Sequence, residues 1–425
     1  MPNKYNLIAP TARLKLATIF ISSHFLIFSV MKMFYYLGDA IMSYMAPLMI
    51  SENVSSAFLM GLVIAISSFC GFFCDFLFAQ NFRGKHFAFF YKYLIILAIS
   101  FPAILIIFPE HLLVFMGVMI IWGIYYEFGV FANFHFIEEK VKMEEHAQAW
   151  GLVEITRAFA YSLGPIIAGF LLLQSNKTAL LIALFFFLLS ATVFKIYLWV
   201  YPPKKVAEER AVEKLRKHCH SRTHFKVWLT LFRRIWPIYL FLVLLFLIDS
   251  CFWTVGVLLS EEVKAYSFWG SFILPAYTLP SLFLGFLAGI FAKPFGKKKI
   301  AFGAALLGGI CFALLAFVSQ PILMVLLVFV ASCFISLAWP QILATFEDYV
   351  VRLKEFGVDM VALQGSTGSL SYVLGPIVAG FLASLLGNKT TFIFMGILLF
   401  IFSFFLLIFL PRKIRMPQAE LEEMK

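Results

Sequence analysis

The chain has 425 residues, of which 62% are hydrophobic and 13% charged, with a formal net charge of +11. Soluble domains carry about 45–50% apolar and about 25% charged residues, so no water-soluble fold can hide this much apolar surface. The basic balance does not point to nucleic acid, because no polar segment carries a basic module with interleaved aromatics.

Residues 1–23 are mixed and polar, and the apolar run that follows is too long for the core of a cleavable signal peptide. Apolar runs near the ~20 residues that a helix needs to cross the hydrocarbon core then succeed one another. Six are expected over 24–50, 55–80, 87–108, 112–137, 148–173 and 177–201. A basic linker over 201–235 follows, opening at Tyr201-Pro-Pro-Lys-Lys and ending at Arg233-Arg234. Within it, 206–218 has the charge to lie as a helix on anionic lipid heads. Six more runs are expected over 236–260, 268–292, 300–319, 321–346, 359–386 and 390–411. Lipid offers no partner to exposed backbone groups, and the runs are too long and too continuous for barrel strands, so all twelve are expected as helices.

With the N-terminus inside, 27 of the 34 Lys and Arg fall in cytoplasmic segments, and only Lys177, Lys264 and Lys389 fall in external loops. This positive-inside bias places both termini in the cytoplasm of a plasma membrane, the inner membrane if the cell has two. The six cysteines make no disulfide framework and read as small buried hydrophobes. His218, His220 and His224 beside Cys219 read as exposed linker side chains, and no metal or other cofactor is expected. Asn176 and Asn388 each begin an Asn-Lys-Thr that reads as a polar turn joining two helices.

The chain is internally duplicated. Leu163-Gly-Pro-Ile-Ile-Ala-Gly-Phe-Leu171 recurs as Leu374-Gly-Pro-Ile-Val-Ala-Gly-Phe-Leu382, at a shift of 211 residues. The Asn-Lys-Thr recurs at a shift of 212 residues, and the mixed-charge loop around 138–147 has its echo around 347–359. The expected fold is therefore an all-α polytopic membrane protein with 12 transmembrane helices in two pseudo-twofold related six-helix bundles. The halves are 1–200 and 236–425, with the linker 201–235 between them.

Charges inside the membrane mark the candidate site, since each costs roughly 2.5–3.5 kcal/mol at mid-bilayer on insertion scales. Asp39 and Asp249 lie 210 residues apart and so occupy near-equivalent repeat positions. On the first helix Lys32, Tyr35, Tyr36, Asp39 and Ser43 recur at helical steps and form a polar stripe. On the seventh, Trp253 follows Asp249 by one turn. These residues are read as a substrate and proton site, because a desolvated carboxylate can take up a proton near neutral pH. The bland alternative is a structural ion pair between Lys32 and Asp39. Glu127 in the fourth helix has no charged repeat counterpart and is assigned to the same site. Glu154 and Arg157, three residues apart in the fifth helix, are expected to make a gating or structural bridge.

The duplicated segment and the helix count resemble the major facilitator superfamily over the whole chain. The family's antiporter motif in the fifth helix is matched by Gly151, Ala160, Gly164-Pro165 and Ala168-Gly169, with two glycines replaced by alanine. The eleventh helix repeats the spacing as Ala362, Ser371, Gly375-Pro376 and Ala379-Gly380. Gly164, Pro165, Gly375 and Pro376 are expected to serve close helix packing, where small residues let backbones approach. The family's loop motif between helices two and three is similar to Gly289-Ile-Phe-Ala-Lys293-Pro-Phe-Gly296-Lys297-Lys298, with Lys in the place of the acid. In the first half it survives as Gly71-Phe-Phe-Cys-Asp75, with Arg83-Gly84-Lys85 displaced.

The resemblance implies alternating access, with helices one and seven lining a central cavity. The expected function is a monomeric, proton-coupled secondary transporter of a small organic solute, export being slightly favoured by the helix-five motif. Its partners are then the solute, protons and membrane lipids, without nucleic acid. The alternatives are a proton-coupled importer and a non-transporting scaffold or sensor on the same fold. An enzyme is not expected, since no zinc-protease, nucleotide-binding or acidic diphosphate motif occurs.

Overall fold

The computed structural model describes residues 23–81, 85–108, 111–141, 146–172, 174–202, 221–284, 296–353, 356–411, 414 and 416–422. Every regular element among them is a helix, and the described residues contain no strand. The first half holds α1 (Ser23–Asn53), α2 (Ala57–Asn81), α3 (Phe87–Ile107), α4 (Leu112–Lys140), α5 (His146–Leu171) and α6 (Asn176–Val200). In the second half, α7 begins at Ser221–Cys251, passes through a π turn at Phe252–Gly256 and continues over Val257–Lys264. Next, α8 opens with a 3-10 turn at Phe268–Phe272, continues as Ile273–Thr278 and is described to Leu284. It is followed by α9 (Lys297–Leu314), α10 (Pro321–Leu353), α11 (Gly357–Leu386), α12 (Asn388–Phe409) and a short α13 (Gln418–Glu422).

Among the described residues, ten helices are long and apolar enough to cross a membrane. Large apolar side chains on their outer faces, such as Leu26, Phe69, Ile107, Trp199 and Phe409, are exposed. This is the burial pattern of a chain whose solvent is hydrocarbon. The first residues of α7 lie inside the segment read as linker: the helix starts at Ser221, well before the apolar run does. Residues 203–220, with His218, Cys219, His220 and the whole 206–218 segment, lie outside the described residues. So do 82–84 and 285–295, which carry Arg83-Gly84 of the first loop motif and most of the second, and nothing is described of the Asp75 side chain.

Helix pairing repeats between the halves. In the first, α1 packs on α5 and α6, α3 on α4 and α6, and α2 on α4. In the second, α7 packs on α11 and α12, α9 on α10 and α12, and α8 on α10. Across the halves, α2 packs on α11 and α5 on α8. The repeat shift turns one of these pairs into the other, as a twofold relation demands. Each half has its own core: one cluster runs from Phe25 to Tyr197, and the other from Val227 to Leu421. Val257 and Leu274 belong to the first cluster although they come from the second half.

Polar staples at the helix ends also obey the repeat. His86 lies 3.4 Å from Glu139, whose carboxylate accepts from the Phe87 backbone N–H at 2.8 Å and so caps α3. At the equivalent place Lys297 donates to Asp348 at 2.9 Å. At the opposite end Asn176 donates to Glu52 at 3.3 Å and Asn388 to Glu262 at 3.0 Å. The repeated Asn-Lys-Thr thus ties the start of α6 to the end of α1, and the start of α12 to the end of α7. Ser175 completes the first copy by accepting from the Thr178 backbone N–H at 3.2 Å, an N-cap.

Close packing gathers at the duplicated motif. A Cβ added to Gly164 of α5 would overlap the Ala40 side chain of α1, and one added to Gly375 of α11 would overlap the Ser250 side chain of α7. Pro376 turns its carbonyl onto Gly61 of α2, and Gly380 faces Ala57 and Gly61 of the same helix. Only residues without a Cβ let these backbones meet. Inside the first copy, the carbonyl freed by Pro165, that of Tyr161, accepts from Thr278 of α8 at 3.5 Å.

Candidate functional site

A cavity of about 480 Å³ lies between the halves at mid-depth. From the first half, α2 contributes Ser67, Ser68 and Phe72, α4 contributes Trp122, Tyr126 and Glu127, and α5 contributes Arg157 and Tyr161. From the second, α7 contributes Phe246, Ser250, Trp253 and Thr254, and α11 contributes Gly365, Gly368, Ser369 and Tyr372. The π turn of α7 places Trp253 at the wall; such turns interrupt α-helices mostly at functional positions.

Asp39 and Asp249 do not themselves line this cavity; each is held one layer behind it by two tyrosines. Tyr125 of α4 donates to Asp39 at 2.6 Å, and Tyr161 of α5 donates to its other oxygen. Tyr277 of α8 donates to Asp249 at 2.8 Å, and Tyr372 of α11 donates to its other oxygen. Both acids, read from the sequence as part of one site, are thus linked to the cavity through Tyr161 and Tyr372. Tyr161 and Tyr372 are repeat-equivalent, 211 residues apart, and both line the cavity. The second tyrosines are not equivalent, coming from α4 in one half and α8 in the other. A carboxylate accepting two phenol bonds is satisfied without a cation, which is what a buried acid requires.

Lys32 makes no ion pair with Asp39. Its ammonium has no hydrogen-bond partner and sits 4.4 Å and 4.5 Å from the ring centroids of Tyr35 and Tyr36, with Tyr91 at 6.0 Å. Cation–π attraction to three rings replaces the missing anion. Tyr36 is buried beside it and accepts from Asn133 Nδ2 at 3.2 Å. Neither Lys32 nor Tyr36 lines the cavity, whereas Ser43 of the same polar stripe does.

Glu127 and Trp253 do line it. The Glu127 carboxylate is tucked toward α2, where a Cβ on Gly71 would come within 3.0 Å of its Oε1. Arg157 grips Glu154 in a two-pronged pair, Nε to Oε2 at 3.0 Å and Nη2 to Oε1 at 2.6 Å. The guanidinium carbon lies 5.8 Å from the Tyr161 ring, so α5 carries Glu154, Arg157 and Tyr161 in a line that ends on Asp39. Trp253 meets the Tyr161 ring edge-on at 5.0 Å, one of the contacts between the two halves at the cavity.

The end of the molecule away from the start of α1 is sealed. Tyr44 of α1 bonds Ser260 at 3.1 Å and Glu261 at 2.5 Å, both on α7. Lys264 donates to the Gly169 carbonyl of α5 at 2.6 Å and to Glu261 at 3.1 Å. Deeper, Ser162 of α5 and Thr278 of α8 bond at 3.0 Å. The cavity lies on the other side of this seal, with Phe72, Val130, Arg157 and Gly365 of its lining in the helix halves toward the end where α1 begins. The tyrosine clamps and the Lys264 latch were not singled out from the sequence. For Tyr161 and Tyr372 a signal existed, since each lies three residues before the glycine of the duplicated motif.

A family model described as Major Facilitator Superfamily matches residues 245–424. No curated protein matches the chain. Among solved structures, a POT family transporter in complex with 5-aminolevulinic acid has a TM-score of 0.69 at 12% identity, covering 91% of this chain and 95% of its own. The nucleoside transporter NupG has a TM-score of 0.69 at 12% identity, covering 90% and 98%. The peptide transporter POT in complex with sulfate has a TM-score of 0.67 at 12% identity, covering 92% and 94%. At this identity the likeness establishes the fold.

Proposed function

From a divergent chain with the fold of the Major Facilitator Superfamily, we propose a proton-coupled secondary active transporter that moves a small organic solute by alternating access. The single observation that carries the coupling is the pair of clamped acids. Each half holds one carboxylate, Asp39 buried and Asp249 half-buried, and each is tied by a phenol to the wall of the shared cavity. An ionised carboxylate accepts from both of its tyrosines. A protonated one has lost acceptor capacity and gained a donor, so the bonds to Tyr161 or Tyr372 must rearrange. Because Tyr161 touches Trp253 of the other half, that rearrangement reaches the interface on which the halves rock. In this reading Asp39 and Asp249 carry protons, and Glu127 and Trp253 contact the solute. Lys32 and Tyr36 support the acid of the first half, and Glu154 and Arg157 steady the cavity wall. The seams at Gly164-Pro165 and Gly375-Pro376 hold α5 on α1 and α11 on α7 as the halves move.

Both termini are assigned to the cytoplasm of the plasma membrane, which makes the sealed end external and this conformation inward-facing. A monomer suffices, since both lobes of the cavity come from one chain. Export is the proposed direction, supported by the helix-five motif. The test is solute flux in proteoliposomes under an imposed pH gradient. Asp249→Asn keeps the side-chain size and should lose gradient-driven accumulation while retaining solute exchange. Coupling that survives in this variant would remove Asp249 from the proton path. Absence of pH-linked flux across a broad solute panel would favour the scaffold or sensor reading.

A further inference from the structure

The walls of the cavity differ in chemistry. One side presents aromatic rings: Trp122, Tyr126 and Tyr161 from the first half, and Trp253 from α7. On α11 the stretch before Tyr372 presents little side chain, because Gly365, Gly368 and Ser369 fall on the cavity face within about one turn. A Cβ added at Gly365 would meet nothing within 4 Å, and one at Gly368 would meet only the Phe246 ring, at 3.5 Å or more. Glycine costs a helix stability relative to alanine, so two such positions on one open face leave a space that side chains do not fill. The space between a bare helix face and a set of rings is a slot, and a slot of this kind favours a flat ligand that stacks.

The charges narrow the class. Arg157 is the only cation on the wall among the described residues, and its fork is already filled by Glu154. Lys32 is sealed behind Tyr35 and Tyr36. A ligand carboxylate would have to displace Glu154 to find a cation. Glu127 has an interaction of its own within the protein, so a ligand cation would have to compete for it. Beside Glu127, which can accept from a ligand hydroxyl or amide, the polar groups on the wall are neutral: the hydroxyls of Ser68, Ser250, Ser369 and Tyr126. Apolar walls with a few convergent neutral donors and acceptors fix the orientation of a neutral ligand.

We infer that the cavity takes an uncharged, planar heteroaromatic solute bearing hydroxyl or amide groups, of the size and chemistry of a nucleoside, laid between the α11 glycine face and the aromatic wall. The inference rests on the cavity being the transport site, but its test does not depend on proton coupling. Binding to the purified full chain is measured by calorimetry at fixed pH with uridine, adenosine, the dipeptide Ala-Ala and the cation methyltriphenylphosphonium. A nucleoside should bind saturably and at least tenfold tighter than the dipeptide or the cation. Gly365→Leu should weaken that binding at least tenfold with an unchanged melting temperature, and Gly365→Ala should weaken it less. Glu154→Gln should free the guanidinium and improve binding of orotidine, the carboxylate analogue of uridine, relative to uridine. Tighter binding of the dipeptide or the cation, no binding of any nucleoside, or full affinity in Gly365→Leu would overturn the inference. A nucleoside that binds but is not moved by a pH gradient would instead overturn the coupling and leave the solute class standing.

Discussion

Lys264→Met tests whether the sealed end is a gate or a fixed seam. The substitution keeps the length and apolar stem of the side chain and removes its charge and donors. The Lys264 side chain is 14% exposed, so water contributes little to its solvation in the sealed state. Its bond to the Gly169 carbonyl at 2.6 Å is the polar link from α7 to the end of α5, while Glu261 remains held by Tyr44 at 2.5 Å after the change. Hydrogen bonds from charged groups contribute about 1.5–3 kcal/mol. When the seal opens, water solvates the ammonium and offsets part of this, so the lower end applies. At about 1.4 kcal/mol per factor of ten, the open form should gain about tenfold in population. The readout is alkylation of Thr254→Cys, which lines the cavity, in a background free of the native cysteines. A membrane-impermeant reagent added from the sealed side should label it about tenfold faster with Lys264→Met than with Lys264 retained. Labelling that is unchanged or slower, in a variant with an unchanged melting temperature, would refute the gate.

Gly164→Val forces a side chain onto Ala40 and should cost about 1–3 kcal/mol, read as a lower melting temperature in detergent, whereas Gly117→Ala, with nothing within 4 Å of the added Cβ, should be neutral or slightly stabilising. Lys297→Ala removes the bond to Asp348, but both side chains are more than a third exposed, so solvent screening limits the loss to at most about 1 kcal/mol. A larger drop in melting temperature there would mean that this staple holds more than its own two residues.

Much of the architecture is legible in the order of residues alone. Lipid acts on each span locally, so a run of about 20 apolar residues declares itself by composition. The duplication then pairs the helices, and the same shift brings out Asp39 with Asp249 and Gly164 with Gly375. The relation of Asn176 to Glu52 and of Asn388 to Glu262 is readable only as a pair of polar turns, since the partner acid of each lies more than a hundred residues away.

The tertiary structure alone decided what the two acids touch. Tyr125 lies 86 residues from Asp39 and Tyr277 lies 28 from Asp249, on helices that the repeat does not relate. Which face a helix turns inward depends on its rotation against several neighbours. A helix that is apolar on all sides carries no polar face to report that rotation. The partners of Lys32 and Asp39 were likewise set by packing: the two share one face of α1, and the alternative of an ion pair between them gave way to tyrosine rings around the ammonium and phenols on the carboxylate. Sequence therefore determined that this chain crosses the membrane as two copies of one unit with an acid in each. Packing between the copies decided that a cavity-lining tyrosine bonds each acid, and that a short glycine face on α11 is left among the rings of the cavity wall.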